Sequence, residues 1–150
     1  MRVKFKIKAK AAWSQLERDM IRSATHWALH ELGLDSVDEQ IVITLTSLEA
    51  LEGSHGQMVG WDKKSQVWVA QDNRQSALLD SLFHELTHVK QKCLDGFVMS
   101  SCGTEVFWKN EARDYDDAKD YWRAPWEVEA RKTAKKLVKK YQKRGLLSWQ

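Results

Sequence analysis

The five residues His84-Glu85-Leu86-Thr87-His88 constrain this 150-residue chain more than any others. They read H-E-x-x-H within a stretch of helical period. Between Ser76 and Gln91 the apolar residues fall at 78, 79, 82, 83, 86 and 89, which is one stripe of an amphipathic helix. Residues four apart on a helix lie one turn above each other on the same face. The two imidazoles therefore address one point, at the border of the apolar stripe, against the core but open to a cleft. Glu85 follows the first histidine directly and projects beside that point. Two neutral nitrogen ligands, a water of lowered pKa and a carboxylate to take its proton are what a zinc hydrolase requires.

A catalytic zinc keeps three protein ligands and one open position, so a third donor must come from elsewhere. Downstream stands Pro125-Trp126-Glu127-Val128-Glu129-Ala130-Arg131. Pro125, the one proline of the chain, suits the first turn of a helix, where its missing N–H costs nothing. Two carboxylates follow. Glu127 shares a face with Ala130, Ala134, Leu137, Val138 and Tyr141, and Glu129 shares one with Lys132, Thr133, Lys136 and Lys140. Residues two apart on a helix point in nearly opposite directions. Glu127 is thus expected to face the core and the metal helix, and Glu129 to pair with lysines in water. A carboxylate on a buried stripe is costly unless paired or bound to a metal. The rival readings are a Glu127–Arg131 pair one turn apart, and Glu129 as the ligand in place of Glu127.

With both motifs in view, the chain resembles the gluzincin-type zinc metallopeptidases. His84-Glu85-x-x-His88 followed by a helix bearing Glu127-x-x-Ala130 carries the resemblance, which spans roughly residues 60–140. The Pro-Trp-Glu-Val-Glu-Ala-Arg stretch is similar to that of minimal, single-domain gluzincins of bacteriophages and bacteria, related in outline to the SprT-like group. The resemblance implies Zn²⁺ held by His84, His88 and Glu127, with Glu85 as general base in peptide-bond hydrolysis. The other outcome is a zinc-binding regulatory or nucleic-acid-associated protein on the same fold. Several members carry Asp or Asn after the alanine, where this chain has Arg131. In small peptidases of this kind the substrate backbone adds to the sheet edge before the metal helix, which here would be Val67-Trp68-Val69; the alternative is that this stretch is an ordinary hairpin strand.

The rest of the chain bounds these readings. At 43% hydrophobic content, residues 1–150 are expected to form a single α+β, zincin-like domain with its own core. The expected layout is a small mixed or antiparallel sheet packed on the active-site helix, with an N-terminal helix and a C-terminal ligand-bearing helix. The basic start, Met1 to Lys8, has no apolar core of a signal peptide. No apolar run reaches the length of a membrane span. Cys93 and Cys102 lack metal-ligand spacing and read as thiols of a reducing cytoplasm, with one disulfide as the alternative.

Local patterns order the elements. Val3, Phe5 and Ile7 alternate with lysines as in a half-exposed strand. Residues 11–32 are predicted helical and Gly33 stops them. Ile41 to Thr46 is β-rich. Gln57–Trp61 and Gln66–Ala70 bracket a turn at 62–65. Thr104 to Trp108 is predicted as a short strand leading through a charged loop to the last helix. Trp122 and Trp126 are expected to pack the metal helix against that last helix.

Other polar residues are candidates for roles at or near the site. His26 and His30 are four apart but have Trp27 where a glutamate base would stand, so they read as a solvated pair. His55, Tyr115, Tyr121 and Arg123 are each candidates to stabilise an oxyanion. Asp80, one turn before His84, is a candidate to hold its free ring N–H. From Trp126 onward the chain has eight Lys/Arg and two Glu, a net +6 against −3 for the remainder. Arg131, Lys132, Lys135, Lys136, Lys139, Lys140, Lys143 and Arg144 therefore form either a solvated face or a contact for nucleic acid.

Overall fold

The computed structural model describes residues 1–8, 13–72, 74–99, 105–114 and 122–144. Its elements are β1 (Arg2–Ile7), α1 (Gln15–Glu31), β2 (Gln40–Thr46), β3 (Gly56–Trp61), β4 (Lys64–Ala70), α2 (Gln75–Leu94), β5 (Val98–Met99), β6 (Glu105–Trp108), β7 (Glu111–Asp114) and α3 (Pro125–Lys143). The fold is mixed α+β, with two small sheets among the described residues. No helix there is long and apolar enough to cross a membrane.

α1 begins later than its period suggests because Ser14 closes a capping box with Glu17, satisfying two orphan N-terminal donors. It ends where Gly33 adopts φ +75°, with Leu34 N–H donating back to the Leu29 carbonyl, a left-handed stop that glycine adopts without strain. The first sheet runs β1-β2-β4-β3. β1, β2 and β4 are mutually parallel and β3 is antiparallel to β4. Ile41, Ile43 and Leu45 of β2 and Val67 and Val69 of β4 join one core with α1 and α2. α3 lies along α2, and Tyr141 of α3 meets Trp27 of α1 and Phe83 of α2 in a cluster of tilted rings.

Three expectations are corrected here. Val67-Trp68-Val69 is not an edge. It lies inside β4, hydrogen-bonded to β2 on one side and β3 on the other, because β2 inserts by parallel pairing that no local pattern encodes. Among the described residues the edges of this sheet are β1 and β3. The charged stretch after Trp108 is partly strand. β6 and β7 form a hairpin about Lys109-Asn110, both at positive φ, the mirror-image turn that two-residue hairpins favour. Trp122 is 67% exposed and lies under the Arg131 guanidinium, 3.8 Å from its ring centre, so it packs no helices together. Trp126 is buried, but in a second core with Val106, Trp108, Ala124 and Phe97 that seats the small sheet at the start of α3.

Candidate metal centre

α2 presents His84 and His88 one turn apart at the border of its buried stripe, with 19% and 16% of their side chains exposed. α3 starts at Pro125, placing Glu127 in its first turn, where the helix dipole favours a carboxylate. Packing of α3 on α2 brings the three together. His84 Nε2 is 3.1 Å from Glu127 Oε2, and His88 Nε2 is 3.2 Å from Glu127 Oε1 and 3.2 Å from His84 Nε2. Ligands about 2.0–2.2 Å from a tetrahedral zinc lie roughly 3.3–3.6 Å apart, so these two nitrogens and the carboxylate need to part by only a few tenths of an ångström to hold such an ion. The three form a group that could hold a metal ion.

Burial and charge shape the group. Burial opposes the charged form of His88, but the Glu127 hydrogen bond and the charges of Glu85 and Glu127 overcome it and raise its pKa to about 8. Burial likewise opposes ionisation of Glu127, yet the hydrogen bonds from His84 and His88 lower it to about 2. Glu85 is 8% exposed. Burial raises its pKa, only partly offset by the two histidines, so this carboxyl is poised to accept and return a proton. It packs against β3. A Cβ at Gly56 would stand 3.0 Å from Glu85 Cγ and 3.3 Å from its Oε1, and only glycine leaves that room.

One residue of the site was not anticipated. Gln91 is fully buried, one turn beyond His88 on the same face. Its amide nitrogen is 2.8 Å from the Trp126 carbonyl and 3.1 Å from Glu129 Oε1, both acceptors. Its Oε1, 2.8 Å from His88 Nδ1, therefore accepts, so Nδ1 keeps its proton when the ring is neutral, and Nε2, which donates to Glu127 in the protonated ring, then turns its lone pair to the metal position. The spacing 84, 88, 91 was the available signal.

The remaining candidates fall elsewhere. Glu129 is not at the metal position. It pairs with Lys109 of the small-sheet hairpin at 2.8 Å and with Lys90 at 3.9 Å, rather than with lysines of its own helix. Arg131 donates to the Trp122 carbonyl, not to Glu127. Among the described residues Asp80 makes no bond to His84. Arg123 is exposed. His55, just before β3, is 58% exposed with Asp72 at 3.7 Å. His30 pairs with Asp35 and His26 meets the Phe5 ring, as a solvated pair would. Cys93 is a free, half-buried thiol that burial and Glu39 push up to about 12. Tyr115, Tyr121 and Cys102 lie outside the described residues.

Compared with models of protein families, with curated proteins and with solved structures, the chain matches none. Any functional reading therefore stands on the site itself.

Proposed function

We propose that this chain is a zinc-dependent metallopeptidase with a zincin-like domain. The observation that carries the reading is the convergence of His84, His88 and Glu127 from two helices, with the buried Glu85 carboxyl beside them. Bound there, zinc would lower the pKa of a water and polarise a carbonyl. Glu85 takes the proton of the attacking water and delivers it to the leaving amine. Gln91 keeps the His88 Nε2 lone pair directed inward. The free edge of β3 lies next to Glu85 through Gly56, so an extended peptide pairing with β3, rather than with β4, would bring its backbone to the reacting groups. The half-buried thiol of Cys93 is in keeping with work in a reducing cytoplasm.

Elemental analysis of the purified protein tests the first half of this reading. One zinc per chain is expected, lost or much weakened in His84→Ala and Glu127→Ala. Peptide-library cleavage tests the second half. A Glu85→Gln protein that holds zinc but cleaves as fast as the parent would overturn the mechanism. A zinc-loaded parent that cleaves nothing would turn the reading to a zinc-binding regulator.

A further inference from the structure

The two faces of the four-stranded sheet are unlike. One is closed by α1 and α2. The other is crossed by three rows read from the strand register: Lys6–Thr44–Trp68–Gln57, Lys4–Val42–Gln66–Val59 and Arg2–Gln40–Lys64–Trp61. Side chains alternate along a strand, and burial follows that alternation. Val67 and Val69 are in the core while Gln66 and Trp68 are half-exposed, and Met58 is packed while Gln57, Val59 and Trp61 are exposed. Val42 and Thr44 of β2 are buried between the side chains of β1 and β4.

The chemistry of this outward face is specific. Its edge strand β1 contributes Arg2, Lys4 and Lys6, all exposed. Its opposite half contributes Trp61, 45% exposed, and the half-exposed Trp68, with Lys64 Nζ 5.6 Å from the Trp61 ring centre. Gln40, Gln57 and Gln66 supply amides. No row contains an acid. Of the acids that flank these strands in sequence, Asp38 pairs with Arg2, Glu39 pairs with Lys92 of α2, and Asp62 lies in the β3–β4 turn. Cations along one side and flat rings along the other are the parts of a single-strand surface, where lysines follow phosphates and bases stack on aromatic side chains.

We propose that this outward face docks single-stranded nucleic acid, across the sheet from the metal centre. The lysines of α3 supply charge without this partnership. Lys132, Lys135, Lys136, Lys139 and Lys143 are exposed, but Trp108, in the groove it shares with Lys132 and Lys136, is 5% exposed, and the exposed Trp122 already carries the Arg131 guanidinium on its ring. A duplex has no free base faces to stack, so the sheet face selects single strands.

The test is fluorescence anisotropy of labelled oligothymidine, oligouridine and a mixed duplex with the metal-loaded 150-residue chain over a salt series. Single strands should bind tighter than duplex. Contacts from Lys4, Lys6 and Lys64 to phosphates predict a slope of log affinity against log salt of about −2. Trp68→Ala should weaken binding about tenfold or more. Lys4→Gln with Lys6→Gln should cut the slope to about −0.7. Zinc content should be unchanged in both variants, which shows that the fold persists. The ratio of oligothymidine to oligouridine affinity identifies the polymer, and either preference supports the proposal. Absence of binding at low salt would overturn it. So would equal binding of duplex, or binding that survives these variants and is lost when Lys135, Lys136, Lys139 and Lys143 become glutamine.

Discussion

His88 Nδ1 donates to Gln91 Oε1 across 2.8 Å, and the amide of the same Gln91 donates to the carbonyl of Trp126 at the same distance. A single buried glutamine thus fixes the tautomer of one candidate ligand and ties α2 to the turn that carries another. Gln91→Leu removes both bonds at once. Partners that orient metal-ligating histidines are typically worth 10–100-fold in metal affinity, so a loss of about that size is expected. The metal-free protein should also lose about 1–3 kcal/mol, because buried polar groups are left unsatisfied. Gln91→Glu separates the two effects. Its carboxylate still accepts from His88 but cannot donate to Trp126, and it faces Glu129. It should recover zinc affinity relative to Gln91→Leu while staying destabilised. Chelator competition and denaturant unfolding give the two numbers, and parent-like zinc affinity in Gln91→Leu would reduce Gln91 to a core residue.

Gly56 and Glu85 make a second prediction. A methyl at position 56 would meet Glu85 Cγ at 3.0 Å and the Trp68 carbonyl at 3.4 Å, so the carboxyl must shift. Gly56→Ala leaves the three metal donors untouched and should bind zinc within about threefold of the parent. Peptide cleavage should fall by about 10–100-fold, since misplacing a catalytic group by up to an ångström costs on that order. Equal losses of zinc affinity and cleavage would show that the glycine serves the fold rather than the base.

The same residues show how far the chain could be read unaided. His84, His88 and Glu127 were legible because helical period alone assigns each to a face, and faces decide what two packed helices bring together. Gln91 was not, since glutamine belongs to no metal motif and its role appears only when Trp126 of another helix supplies an acceptor. Val67-Trp68-Val69 looked like an edge because sheet order depends on a parallel pairing with β2, which sequence separation hides. The hairpin at Lys109-Asn110 carries no glycine to announce its positive φ values. Trp122 is expected between the two helices because it flanks the Glu127 motif, whereas a guanidinium partner lets it stay outside.

Metal uptake should be linked to protons. In the metal-free site His88 has its pKa raised from 6.5 to about 8, with the Glu127 carboxylate beside it. A raised histidine pKa adds stability that is fully present below pH 6.5 and is lost as pH rises through about 8. The chelator-treated protein should therefore unfold at progressively lower temperature from pH 6.5 to 8. Zinc binds only the neutral ring, so its apparent affinity should rise through the same window, by up to about tenfold per pH unit below 8. Calorimetry in buffers of different ionisation enthalpy should register about one proton released near pH 7. A melting temperature flat across this window in the chelated protein would rule out the His88–Glu127 pair as its source.

Lys92 and Gly60 should be energetically coupled. The Lys92 ammonium reaches Glu39 Oε1 at 2.6 Å, the Lys64 carbonyl at 3.0 Å and Ser65 Oγ at 3.1 Å, so it clamps the entry to β2 and the start of β4 onto α2. Its partner Glu39 is only 17% exposed, and an ion pair this buried is costly to break one-sidedly. Lys92→Ala should destabilise the protein by about 2–3 kcal/mol, below the full cost of a wholly buried pair because some water reaches both groups. The stem of Lys92 crosses β3 over Gly60, where a Cβ would fall 2.5 Å from Lys92 Cδ. Gly60→Ala should thus destabilise the parent by about 1–3 kcal/mol through overpacking. In the Lys92→Ala background the obstructing atoms are gone and the second substitution should cost far less. Denaturant unfolding of the four proteins closes the cycle. Effects that add to within about 0.5 kcal/mol would show that the two residues do not meet.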